Sequence, residues 1–182
     1  MASKASKVGL IVAIVAGIAI VAILANYKSI FSPRWKTFTS QPGAFSVLMP
    51  GTPAANQTEA TAGGSKVPVD IVSSEGKNGA TYLCSYIDYP STPEPNAAFD
   101  ATRDRSIRAV QGRIVSERTL TMGENPARQF QAELPSHDVI DERYVLAGQR
   151  LFLLVVVSKA GTRNTGDVAK FFNSLQVTTK RL

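Results

Sequence analysis

Three hydrophobic patterns follow one another along the chain. Residues 8–25 read VGLIVAIVAGIAIVAILA, an unbroken apolar and small-residue run without a charge or proline. Beyond residue 43, short stretches alternate apolar with polar positions, the period of a strand with one buried face. The windows 97–111 and 165–177 instead recur every third or fourth position, as one face of a helix does.

The first strand-like stretch, about 44–49, carries Phe45, Val47 and Met49 on one side, and Pro50, Gly51 and Pro53 stop it. Next, KVPVDIVSSE and ATYLCSYIDY flank GKNG at 76–79, RIVSERTLTM and ARQFQAEL flank GENP at 123–126, and VIDERYVL and LFLLVVVS flank AGQR at 147–150. Each pair predicts a hairpin. LFLLVVV is apolar on both faces and belongs at the centre of a sheet covered on both sides. Residues 51–66 are polar, small and without period, and read as a mobile loop.

In the first helical window Phe99, Ile107 and Val110 share a face, Asn96 is the candidate cap and Gly112 the stop. In the second, Val168, Phe171, Phe172 and Leu175 fall on one stripe, with Thr165 or Asp167 as cap. The order β, ββ, α, ββ, ββ, α predicts one α+β domain over residues 43–182, a twisted antiparallel sheet with helices packed on it.

At ~1.5 Å per residue the run 8–25 spans roughly 27 Å, near the ~30 Å hydrocarbon core of a bilayer. It reads as a transmembrane helix acting as a signal anchor, with 1–7 a cytoplasmic tail and 26–42 a juxtamembrane linker. A cleavable signal peptide is the alternative, since Lys4 and Lys7 precede the run and Ile23 and Ala25 fit a cleavage site. The anchored reading makes this a single-pass inner-membrane protein whose C-terminal domain is exported to the periplasmic side. Its expected partners are the lipid bilayer and other membrane proteins. Gly9, Ala13 and Gly17 would form a helix-packing face, and Tyr27, Phe31 and Trp35 would sit at the interface.

Composition narrows the function. With 44% hydrophobic and 19% charged residues in 182, the chain can bury a core. The net charge of +6 belongs largely to the N-terminal segment: Lys4, Lys7, Lys28 and Arg34 precede residue 35, leaving 16 basic against 14 acidic residues. That balance gives no nucleic-acid footprint. Cys84 is the only cysteine, which excludes an internal disulfide and a cysteine metal cluster, and it reads as a small buried hydrophobe.

A nucleophilic enzyme would have to use His137, the only histidine. GGSKV at 63–67 is no nucleophile elbow, SEGK at 74–77 lies at a turn, and no phosphate loop, dinucleotide fingerprint or zinc spacing occurs. No catalytic residue, cofactor or metal is assigned, and an enzyme is the least favoured reading. In SHDVIDER (136–143) an extended strand sends His137, Asp141 and Arg143 one way and Asp138 and Glu142 the other, as on a charged edge or hairpin strand. On the helix 97–111, Asp100 with Arg103 and Asp104 with Arg108 form expected pairs, which leaves Arg105 as a candidate partner contact.

Three phrases carry a resemblance. They are W-x-x-F-x-S-x-P-G-x-F-S-V-x-M-P-G-x-P from Trp35 to Pro53, YLCSYIDYP from Tyr82 to Pro90, and FFNSL from Phe171 to Leu175. They resemble bacterial envelope proteins of the PsbP-like fold, shared by the extrinsic PsbP subunit of photosystem II and a nuclear-import factor that binds the GTPase Ran. The resemblance implies a non-enzymatic accessory domain that assembles or stabilises a membrane complex by binding proteins, and in a phototrophic host a reaction-centre auxiliary subunit. The alternative is a small-ligand or lipid-binding module, its cleft between one sheet face and loop 51–66 and lined by Tyr82, Tyr86 and Tyr144.

Overall fold

The computed structural model describes residues 33–62 and 65–178. The chain begins with β1 (Trp35–Ser40), β2 (Phe45–Pro50), β3 (Ala54–Ala62), β4 (Ser65–Glu75) and β5 (Thr81–Asp88). After α1 (Pro95–Val110) come β6 (Arg113–Met122), β7 (Asn125–Glu133), β8 (Val139–Ala147) and β9 (Arg150–Ser158), then α2 (Thr165–Asn173) and β10 (Gln176–Val177). The strands form a seven-stranded antiparallel sheet in the order β3-β4-β5-β9-β8-β7-β6 and a three-stranded sheet in the order β1-β2-β10.

Alternation along β9 shows how the layers stack. Phe152, Leu154 and Val156 enter a core closed by Phe45, Val47 and Met49 of β2 and by Val168, Phe171 and Phe172 of α2. On the opposite face Leu151 and Leu153 meet Phe99 of α1 together with Phe130 and Tyr144, and Val155 and Val157 meet Leu83 and Ile140. A strand buried on both faces reads as a continuous apolar run, which is why LFLLVVV holds the central position expected of it. Edge-to-face ring pairs join the layers, Phe171 with Tyr82 at 5.4 Å and Phe45 with Phe152 at 5.5 Å.

The three hairpins β4–β5, β6–β7 and β8–β9 pair where the alternating stretches place them. Both helices form, with different caps. Glu94 caps α1 by accepting from the backbone N–H of Asn96 and Ala97, and Gln111 ends it in the left-handed region at φ 52°. Asn164 caps α2 by accepting from the N–H of Asp167.

The expected α+β class needs correction. Strands dominate, and a second sheet shares with α2 the cover that helices alone were expected to provide. Nor is a transmembrane helix part of the described fold: among the described residues no helix is long and apolar enough to cross a membrane. The run 8–25, with Gly9, Ala13 and Gly17, lies outside the described residues, as do Tyr27 and Phe31.

Two further differences have one cause. The segment 26–42 contains β1, and the polar run expected to be a mobile loop contains β3. Both are edge strands held by ladders to β2 and β4; β1 packs Trp35 and Phe38 on the core three positions apart, and residues 54–57 of β3 are exposed, so neither shows the alternation of a half-buried strand. The opposite edge, β6, carries Arg113, Glu117 and Arg118, and a bulge between Ile114 and Ser116 interrupts its ladder. Charges and a bulge make a poor template for a foreign strand.

Candidate functional site

The small sheet ends in the two-residue β10, which pairs with β2 through Gln176↔Ser46 and Val177↔Phe45. Facing β10 are the tips of two hairpins of the large sheet, around Gly123 and Gly148. Two adjoining cavities, of about 460 and 280 Å³, share Asn125 and Val177 and form one groove between β10 and these tips. Gly43, Gln149, Arg150 and Phe152 line the larger, and Met122, Val145 and Leu175 the smaller. Gly148 takes φ 62°, the left-handed conformation a tight hairpin turn needs and which glycine adopts without steric cost.

The wall of the larger cavity is fixed by Arg150. Its Nε and Nη2 donate to the two carboxylate oxygens of Asp88, each at 2.6 Å, and Nη1 donates to the carbonyls of Pro42 at 3.2 Å and Gly43 at 2.5 Å. The guanidinium lies 4.4 Å from the centre of the Tyr86 ring, and the Tyr86 hydroxyl donates to Asp70 at 2.5 Å. Burial, then the Asp70 bond, pushes the Tyr86 phenol up to about 12. The Asp88 bonds hold Arg150 above the ordinary arginine range. Gly43 has no room for a side chain, because a Cβ there would stand 2.6 Å from Phe45 and 2.7 Å from Tyr86. The wall is therefore rigid before anything binds.

β8 holds the second unusual feature. It lies between β7 and β9 rather than at an edge, and its charged residues are inside: Asp141 is 1%, Glu142 2% and Arg143 5% exposed. Asp141 forms a two-pronged pair with Arg163, at 2.8 and 2.7 Å. On the opposite face Glu142 accepts from the Ser106 hydroxyl of α1 and from the Tyr144 hydroxyl, both at 2.5 Å. Burial pushes the Glu142 carboxyl above its ordinary value, against the pull of those two bonds. Burial, followed by the Glu142 charge, also raises the Tyr144 phenol.

Arg143 has no carboxylate among its bonds. Its Nε and Nη2 donate to Gln129 Oε1 at 3.1 and 2.7 Å, Nη1 donates to Asn173 Oδ1 at 2.9 Å, and the guanidinium lies 5.0 Å from the Phe172 ring centre. Burial, then the charge of Arg118, lowers it to about 10. SHDVIDER was expected on a charged edge or hairpin strand; β8 is a hairpin strand with its charges split between two faces, but it is interior to the sheet and those charges are buried. The groups that meet these side chains, Arg163, Ser106, Gln129 and Asn173, are remote in sequence, which local pattern does not reveal.

The other anticipated residues are scattered. His137 turns out of the strand at φ 63°, its side chain is exposed, and its Nδ1 lies 2.8 Å from Glu133 rather than against Asp141. The His137 bond, then Arg113, lowers the Glu133 carboxyl. Asp100 pairs with Arg103 as expected, but Asp104 also turns to Arg103, which reaches Glu117 as well. Arg105 is exposed on α1 and is not without a partner, so the reason for singling it out falls away.

Trp35 is held in β1 against Tyr82 at 5.4 Å, with Lys170 above its ring. Tyr82 and Tyr86 belong to one core layer and Tyr144 to the other, all three buried, so they do not line one cleft. Cys84 is fully buried and its thiol is pushed up by that burial. Among the described residues no group of His, Cys, Asp and Glu is placed to hold a metal ion.

No family model and no curated protein sequence matches the chain. Among solved structures it is similar to cyanobacterial PsbP from Synechocystis sp. PCC 6803, over 85% of this chain and 98% of that one, with a TM-score of 0.49 and 9% identity. It is also similar to a Pseudomonas aeruginosa protein of unknown function, over 69% of this chain and 83% of that one, with a TM-score of 0.35 and 6% identity.

Proposed function

We propose that the chain is a non-catalytic accessory subunit that binds another protein, and that a segment of the partner seats in the groove between β10 and the hairpin tips. The observation that carries this reading is the preformed larger cavity, about 460 Å³ and walled by the Arg150 cluster. Its most polar wall residue is already spent on Asp88 and two carbonyls, so the groove offers shape, an apolar floor at Phe152 and Val177, and backbone. A rigid concave surface of that kind recognises a ligand at low ordering cost. β10 has one neighbour in its sheet, so its outer side can take an extended segment by strand addition. The motif resemblance supports the accessory role.

The test is retention of partners by the tagged chain in its native source. Gln149→Trp places a bulky ring at the groove, and Arg108→Trp places the same ring on α1, across the large sheet. Loss of one defined partner by Gln149→Trp alone is the expected result. Equal retention by both variants would refute the proposal. A small molecule released from the wild-type protein on denaturation, detected by mass spectrometry, would favour the ligand-binding reading, which the volume of the larger cavity also fits.

A further inference from the structure

Seven of the arginines among the described residues fall into two groups. Arg103, Arg113, Arg128, Arg150 and Arg163 each pair with a carboxylate. Arg118 and Arg143 converge instead on one neutral oxygen, Gln129 Oε1, with Arg118 Nη2 at 3.2 Å and Arg143 Nη2 at 2.7 Å. The ladder sets this row, since Arg118 lies opposite Gln129 and Gln129 opposite Arg143 across β6, β7 and β8. Two cations sharing a single amide oxygen, one of them 5% exposed, is a costly arrangement unless an anion joins them.

The neighbouring carboxylates are committed elsewhere. Asp141, on the same strand face as Arg143, is held at both oxygens by Arg163. Glu117, next to Arg118 in β6, is on the other face with Arg103 and Arg128. Glu142 points away into the Ser106 and Tyr144 pair. Around Arg143 the remaining groups are Asn173, Met122 and the Phe172 ring, all neutral. Met122 also lines the smaller cavity, so the pair adjoins an opening.

We propose that Arg118 and Arg143 form a receptor for one oxyanion group, a carboxylate or a phosphate, on the α2 side of the large sheet. Arg143 supplies the fixed, desolvated donor, already oriented by Gln129, Asn173 and Phe172. Arg118, exposed on the edge strand, closes over the anion from the rim. Planar guanidinium forks match both oxyanions, and a charge-assisted bond in so dry a place is strong.

The test follows the side-chain Nε–H resonances of arginine in the ¹⁵N-labelled protein, titrated separately with inorganic phosphate and with acetate against sodium chloride at constant ionic strength. The expected result is saturable movement of the Arg118 and Arg143 resonances, with those of Arg150 and Arg163 still. Arg118→Gln should weaken that binding by about tenfold or more, and Arg118→Lys by less. Tighter acetate points to a carboxylate and tighter phosphate to a phosphate group. A uniform drift of all arginines with salt, or an unchanged titration in Arg118→Gln, would overturn the proposal. Arg118 is exposed, so these variants keep the fold, which the backbone spectrum checks directly.

Discussion

Replacing Glu142 by Gln should make the protein more stable at neutral pH, and the gain should grow with pH. Glu142 is buried with a hydroxyl on each oxygen, so its charge is set against desolvation with only two neutral donors as compensation. Its folded pKa is raised above the unfolded value of ~4.3, so the native state holds a proton that the unfolded chain releases. Stability from this group is complete below that unfolded value and is lost as pH rises through the folded one. Over the interval the wild type should lose up to ~1.4 kcal/mol per pH unit relative to Glu142→Gln.

Gln keeps the shape and both contacts, its amide oxygen accepting from one hydroxyl and its amide nitrogen donating to the other. Glu142→Leu is the contrasting variant: it removes the titration but leaves the Ser106 and Tyr144 hydroxyls without their acceptor, at ~1–3 kcal/mol for each. The assay is urea unfolding from about pH 5 to about pH 8, read by the fluorescence of Trp35, which packs on Tyr82. Parallel curves for wild type and Glu142→Gln across that range would refute the reasoning, because the group would then titrate alike folded and unfolded.

Two further outcomes test the packing. Cys84 should react with a disulfide reagent only at the rate of unfolding, since its thiol is fully buried and burial raises it; rapid labelling of the native protein would contradict its place in the core. Asn164→Ala removes the acceptor of the Asp167 N–H at the start of α2 and should cost ~0.5–2 kcal/mol in urea unfolding, with no change in slope.

What the sequence made legible depends on whether the partner of a residue is local. Val168, Phe171 and Phe172 fall on one helical stripe, and all three are buried against the large sheet. Leu151–Val157 is apolar at every position, and β9 is central. β3 shows no such pattern, because its order comes from the ladder to β4 and residues 54–57 are exposed. Trp35–Ser40 packs Trp35 and Phe38 on the core three positions apart, which is no strand alternation, and without it the three-stranded sheet could not be foreseen. The charged residues of β8 are the sharpest case: Asp141, Glu142 and Arg143 read as surface until Arg163, Ser106 and Gln129 arrive from other elements. The groove was hidden for a related reason, since its walls are turns brought together by the stacking of two sheets, and Arg150 finds Gly43 from 107 residues away.

The strand order of the large sheet also constrains how the chain reaches this state. β3, β4 and β5 pair in sequence, as do β6, β7, β8 and β9, so each half is a meander closed by short links. The two halves meet at β5–β9, where Asp88 stands opposite Arg150, 62 residues further on. Local hairpins close within microseconds, whereas so long a connection must be drawn in against its own entropy before any contact repays it. The seam that supplies the most buried strand is therefore expected to set the folding rate, and substitutions along it should slow folding where equal losses in an outer hairpin mainly speed unfolding.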